Sequence, residues 1–384
     1  MNSKLPTRLE MVEQLVATPS VSSVDPTLDM SNAAVIDLLA NWAEGIGFRI
    51  ERMPVPDDPG KVNLIATLGQ GPGGLILSGH TDTVPYDAGS WETDPFTLTA
   101  RDDRLHGLGS TDMKSFLAVA LEAASRVRAE RLREPLILLA TADEESGMSG
   151  ASTLVAAGRP RATSAIIGEP TGLTPIRMHK GVMMEAVRLQ GTTGHSSRPD
   201  LGNNAIDGMH RVIGDLIAWR EELAREWHEP AFELPIPTMN LGHIHGGDNP
   251  NRICGACELR IDMRPLPGMQ LDALRGTMRR RLTELLADSG LGLEVTALFP
   301  GVPPFENAAD SPLVRTLERL TGRPAEAVSF GTEGPFLQQL GIDTVVCGPG
   351  DINLAHQPNE YVTRSQLDGC SDLLDRLIAD QCGL

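Results

Sequence analysis

Apolar and polar positions alternate along the chain in two rhythms. Near the start, Leu9, Val12, Leu15 and Val16 recur at helical spacing behind Thr7-x-x-Glu10, which reads as a capping box. Val35, Leu38, Leu39, Trp42 and Ile46 mark a second helix that stops near Gly45 and Gly47. Short apolar runs follow at 63–68, 75–77, 136–140 and 165–167, with a long helical segment at about 113–128. Short buried strands alternating with helices predict an α/β fold with parallel strands. From 181 to 294 the rhythm changes. Strands at 182–189, 238–244, 258–263 and 293–298 alternate with helices at 204–223 and 271–287. That order is β-α-β-β-α-β, the ferredoxin-like arrangement. After Pro300 the first style returns: a helix opens at Ser311-Pro312, an apolar run covers 344–347, and a helix covers 364–382. The fold class read from the pattern is a mixed, mostly parallel sheet flanked by helices (1–180 and 295–384) with an inserted α+β unit (181–294).

Composition narrows the function classes. With 384 residues the chain is long enough for two or three domains, and 41% apolar against 22% charged residues is ordinary for a globular protein. A net charge of −18 argues against nucleic acid and against an anionic membrane surface as partners. No run of 18 apolar residues occurs, and the first residues lack the apolar core of a signal peptide. Five scattered cysteines fit a reducing cytoplasm better than a disulfide framework. Cys254-x-x-Cys257 has no second such pair and lies in a strand-like run, so a metal role is not expected there.

The chemistry gathers at strand ends. The run at 75–77 leads to His80 and Asp82, the run at 136–140 to Asp143, Glu144 and Glu145, the run at 165–167 to Glu169, and the run at 344–347 to His356. A fifth loop, HGLGSTDMKS, brings Asp112 just ahead of a helix. Ligands of open α/β sheets bind beyond the carboxyl ends of the strands, so these residues are expected at one edge. Two imidazoles and several carboxylates without thiolate suit a borderline divalent ion such as Zn²⁺, with enough donors for two ions sharing a bridge. Glu144 and Glu145, adjacent on extended backbone, point opposite ways, so one can ligate while the other faces water. The sequence does not say which.

The segments SGHTDTVP, GSTDMK, TADEES, GEPT, GHSSRPDLGNNAI, NLGHIHGGDNPNRICGACELRIDMRPLPG and GPGDINLAHQPNEY resemble the dinuclear zinc hydrolases that include succinyl-diaminopimelate desuccinylase and carboxypeptidase G. The resemblance covers nearly the whole chain; Ser115 departs from it, since glycine is usual after DMK. It implies a zinc-hydrolase catalytic domain with an inserted lid or dimerisation domain, two Zn or Co ions, and a homodimer. Asp112 would bridge the ions, His80 and Glu169 would complete one site, and Glu145 and His356 the other. Asp82 would accept the second ring N–H of His80 and Glu144 would be the general base. His195 would stabilise the oxyanion from across the dimer, and Asn251 and Arg264 would touch the substrate. Arg252 is a further candidate for an α-carboxylate, because guanidinium forks match carboxylates, and Glu333 for an ammonium. The resemblance also implies a cis peptide at Asp112–Met113. The implied reaction is amide hydrolysis of an N-acyl amino acid, N²-acetyl-L-ornithine first, with N-acetylcitrulline and N-succinyl-diaminopimelate as alternatives.

Other motifs are missing. No GxGxxG follows a strand, and GxxxxGK[ST] and GxSxG do not occur, which leaves nucleotide cradling and a serine nucleophile without support. His243 and His245 alternate on a strand without carboxylate neighbours and read as structural or lid residues. The reading from a different class is a non-catalytic scaffold that keeps the fold, against which every expected ligand and the base remain in place.

Overall fold

The computed structural model describes residues 5–383 and contains two compact units. The larger is formed by Met1–Arg177, Asn307–Glu326 and Thr332–Leu384; the smaller by Met178–Glu306 with Ala327–Gly331. Residues 295–306, placed with the larger unit by the sequence pattern, belong to the smaller one. The reason is local pairing: Leu298 donates to the Met184 carbonyl, and Val302 exchanges backbone hydrogen bonds with Val182.

In the larger unit the strands run side by side in the order Arg49–Val55, Asp58–Leu68, Leu136–Thr141, Leu75–His80, Ser164–Pro170, Asp343–Gly348. The last four are mutually parallel, whereas the first two join antiparallel. Strand Arg49–Val55 lacks a buried apolar run and was invisible in the pattern; its burial is mostly partial or exposed. Leu75–His80, Leu136–Thr141 and Ser164–Pro170 are buried at every position, as expected for parallel strands covered on both faces. The helix Lys114–Ser125 is buried on nearly all sides and packs against Arg8–Val16, Arg364–Gln381 and the sheet. Thr7 and Glu10 make the expected capping box, but the buried face of that helix is Met11, Val12, Leu15 and Val16, while Leu9 is exposed.

The smaller unit is a four-stranded antiparallel sheet ordered Thr238–Gly246, Ala256–Arg264, Met183–Gln190, Gly292–Ala297, with helices Ala205–Glu226 and Leu271–Leu286. This is the ferredoxin-like order. The central strand Ala256–Arg264 alternates in burial, and Leu259, Ile261 and Met263 join Met209, Val212 and Leu216 of the helix in one core. Cys254 and Cys257 are buried free thiols, as are Cys347, Cys370 and Cys382.

Candidate metal centre

The parallel strands all end at one edge of the sheet, and their loops meet there. His80 closes the strand Leu75–His80, Glu144 and Glu145 follow Leu136–Thr141, Glu169 lies near the end of Ser164–Pro170, and His356 sits in the loop after Asp343–Gly348. The His80 Nε2 atom lies 2.9 Å from Asp112 Oδ1 and 3.8 Å from Glu169 Oε1. The His356 Nε2 atom lies 3.5 Å from Asp112 Oδ2 and 3.1 Å from Glu145 Oε2. The two oxygens of Asp112 therefore face two different imidazoles. Among the described residues, two donor groups are compact enough to hold an ion: His80, Glu144 and Glu169, and His80, Asp112 and Glu145. The peptide bond Asp112–Met113 is cis.

The second ring nitrogen of His80 decides what its partner can be. Nδ1 lies 3.0 Å from the backbone carbonyl of Asp82 and donates to it. The Asp82 carboxylate, expected to take that N–H, is 3.7 Å away and instead accepts the backbone N–H of Glu145 at 3.0 Å. This is a correction: the tautomer is fixed by a carbonyl, while the carboxylate steadies the turn that bears Glu145. With Nδ1–H committed, Nε2 turns a lone pair toward two carboxylates. A positive charge has to stand between them, either a proton or a cation.

Electrostatics agree with that reading. Burial opposes charge on the His80 ring, yet Asp112, Glu169 and Asp82 hold its pKa well above the ordinary value. Asp112 is depressed despite burial, because His356 and His80 hydrogen bond to it. Burial and neighbouring carboxylates push Glu144 and Glu169 well up, and Glu145 up. Hydrogen bonds to Asp112 and Glu145 raise His356 to about 10. So many acids crowded beside two imidazoles are poorly neutralised by the protein itself. Imidazole nitrogen and carboxylate oxygen are the donors that borderline divalent ions take, so the residues fit two such ions.

The turn that carries the paired glutamates is built by Asp143, at φ 61. Its Oδ1 accepts the hydroxyls of Ser22 and Ser146 at 2.7 and 2.5 Å, and its Oδ2 accepts the Ser149 N–H. Two further residues were not singled out by sequence. Lys114 is fully buried and donates to the Leu15 and Thr18 carbonyls at 3.0 and 2.8 Å, which ties the first helix to the Asp112 loop. Glu360, inside the AHQPNEY segment, accepts backbone N–H groups of that same loop. A carboxylate four residues beyond His356 was the available signal, but nothing in the pattern says which way it turns. Ser115 is buried with its hydroxyl unpartnered.

The substrate candidates fare unevenly. Glu333 does not present an open carboxylate to an ammonium. It is 2% exposed, its Oε2 accepts the Thr141 hydroxyl at 2.9 Å, and burial raises it to about 7. With Leu139, Leu154, Phe336 and Leu337 it lines a space too small for a water. In the smaller unit, His195, Asn251 and Arg252 come together. His195 pairs across a bridge with Arg252, and its Nδ1 accepts the Ser197 hydroxyl at 2.8 Å. The Asn251 carbonyl accepts the Ser196 N–H at 3.0 Å. The Arg252 guanidinium is engaged by Asp248. Arg264 ends the strand Ala256–Arg264 and pairs with Asp262 at 2.9 Å. His243 and His245 are exposed on the strand Thr238–Gly246.

A family model described as peptidase family M20/M25/M40 matches residues 76–380. The chain belongs to this family. Acetylornithine deacetylases of Edwardsiella ictaluri and Proteus mirabilis are each 48% identical over 382 residues, spanning 100% of this chain and 100% and 98% of theirs. Among solved structures, an M20 family metallo-carboxypeptidase from Sulfolobus solfataricus aligns at TM-score 0.77 with 17% identity, covering 99% of this chain and 100% of its own. A Bacillus subtilis protein described as a dinuclear metal binding peptidase from the M20 family aligns at TM-score 0.69 with 15% identity and 98% coverage of both chains. These two speak for the M20 fold alone. The family and the full-length relatives make the chain a metal-dependent hydrolase. No helix among the described residues is long and apolar enough to cross a membrane.

Proposed function

We propose that this M20 hydrolase cleaves the amide bond of N²-acetyl-L-ornithine, giving L-ornithine and acetate, a step of arginine biosynthesis. The observation that carries the chemistry is the placement of Asp112 between His80 and His356, with Glu144 grouped beside it with His80 and Glu169. The substrate choice is supported by the 48% identity over full length to acetylornithine deacetylases.

In this reading two divalent ions, Zn or Co, would be held by Asp112 between them, by His80 and Glu169 on one side and by Glu145 and His356 on the other. When bound, such ions polarise the acyl carbonyl and make water a stronger acid. Glu144 takes one proton from the attacking water as its oxygen bonds to the carbonyl carbon. The same carboxyl then gives that proton to the nitrogen as the C–N bond breaks. General acid–base work of this kind contributes roughly 10²–10⁴-fold. His195 of a homodimer partner stabilises the oxyanion, and Asn251, Arg252 and Arg264 orient the substrate, with the smaller unit serving as lid and dimerisation domain. The enzyme works in the cytoplasm.

The test is steady-state hydrolysis of acetylornithine, acetylcitrulline and succinyl-diaminopimelate with Zn²⁺ or Co²⁺ added, for the native chain and for Glu144→Gln. We expect acetylornithine to be preferred, and Glu144→Gln to keep its metal and lose at least about 10²-fold in kcat. A preference for the succinyl substrate removes the substrate assignment. Near-native turnover by Glu144→Gln removes the base.

A further inference from the structure

Glu360 turns back on the loop that carries Asp112. It is 2% exposed. Its Oε2 accepts the N–H of Gly109 at 3.0 Å, and its Oε1 accepts the N–H groups of Thr111 and Asp112 at 2.7 and 3.0 Å. Gly109 adopts φ +76, a left-handed conformation that glycine tolerates and that lets the N–H groups converge. Converging backbone N–H groups form a nest for an acceptor group, and here a carboxyl side chain of the protein fills it. The main chain of Glu360 joins in: its carbonyl accepts the Gly107 N–H at 3.1 Å, and Tyr361–Thr363 pair antiparallel with Arg104–His106. The segment that brings His356 and the segment that brings Asp112 are thus bound together by side chain and by main chain.

We propose that Glu360 is a positioning residue, which locks the Asp112 loop to the His356 loop and so sets the carboxylate-to-imidazole spacing that cation binding needs. This rests on the reading of Asp112 and His356 as ligands. A glutamine at 360 has one acceptor oxygen for three N–H groups and would turn an NH₂ toward donors. The Asp112 backbone would lose its anchor, although no ligand had been removed.

The experiment is Co²⁺ titration of the metal-stripped full chain by calorimetry, with the visible absorption spectrum of the loaded protein. Native protein, Glu360→Gln, Glu360→Asp and Glu185→Gln are compared. Glu185 is a fully buried carboxylate in the smaller unit, paired with Arg275, and serves as the reference for loss of a buried acid. We expect Glu360→Gln to bind Co²⁺ on the order of 10–100-fold more weakly, with an altered spectrum. Glu360→Asp should recover part of the affinity, and Glu185→Gln should keep native affinity and spectrum. Native affinity and spectrum in Glu360→Gln overturn the proposal, as does an equal loss in Glu185→Gln. If Glu360→Gln does not fold, native affinity in Glu360→Asp overturns it. A native chain that binds no Co²⁺ sinks the metal reading and this proposal together; native binding with an unaffected Glu360→Gln sinks this proposal only.

Discussion

A single methyl group added at Gly168 should disturb the centre from below. Gly168 precedes Glu169 on a fully buried strand. A Cβ built there would lie 2.0, 2.2 and 2.3 Å from Cγ, Cδ2 and Cδ1 of Phe116. Ordinary contact begins near 3.4 Å, so the ring or the strand must move by more than 1 Å. Phe116 is 1% exposed and also lies close beneath Gly79, so the ring has little space to retreat. Overpacking of this kind costs about 1–3 kcal/mol. In a unit of this size each kcal/mol lowers Tm by about 2–4 °C, so Gly168→Ala should melt roughly 2–12 °C lower. Calorimetric melting of the metal-free chain resolves this even if the two units unfold separately. A double-mutant cycle tests the cause. Phe116→Ala alone leaves a cavity and costs about 3–5 kcal/mol. In the double variant the new methyl enters that cavity, so the two losses should fall short of adding by about 0.5–3 kcal/mol. A Gly168→Ala melt within about 1 °C of native, or losses that simply add, would refute the steric reasoning.

Two more outcomes follow from buried groups away from the centre. Burial pushes the Cys347 thiol up to about 12, whereas an unfolded thiol titrates near 8.5. Above about pH 9 the unfolded chain therefore loses a proton that the folded chain keeps, and stability falls as pH rises. The loss should reach roughly 1–2 kcal/mol at pH 10, and urea midpoints of Cys347→Ala should decline less steeply between about pH 8 and 10 than those of the native chain. Equal slopes would contradict this. In the smaller unit, Arg275 Nε lies 2.7 Å from Oε1 of the fully buried Glu185, so Arg275→Ala leaves that carboxylate without its cation. The expected loss is about 3–5 kcal/mol in the unit's unfolding transition, recovered in large part by a second change of Glu185→Leu. A loss below about 1 kcal/mol would show that the pair is solvated in effect.

Much of the fold was legible because each rule needed only neighbouring residues. Thr7 and Glu10 close a capping box within one turn. The apolar runs at 75–77, 136–140 and 165–167 became parallel strands because a strand covered on both faces must be apolar throughout. The antiparallel strand Arg49–Val55 escaped because its partial exposure leaves no such run. The second unit extends to Glu306 because Val182 pairs with Val302, a contact that no local pattern announces.

The same division runs through the centre. Residue types, with their position after strands or, for Asp112, just ahead of a helix, were enough to nominate His80, Asp112, Glu144, Glu145, Glu169 and His356, since parallel strands must end at one edge. Direction was another matter. That the His80 ring donates to the Asp82 carbonyl, that the Asp82 carboxylate serves the Glu145 N–H, and that the buried Glu333 accepts the Thr141 hydroxyl depend on angles set by packing. Glu360 is the clearest case. Its charge is visible in the sequence, but its role follows from three N–H groups brought to it by a loop far away along the chain. Sequence determines which chemistry is available, because side-chain type is local. Tertiary structure decides which atoms meet, because a hydrogen bond tolerates only a few tenths of an ångström and a limited angle, and only the packed whole sets those.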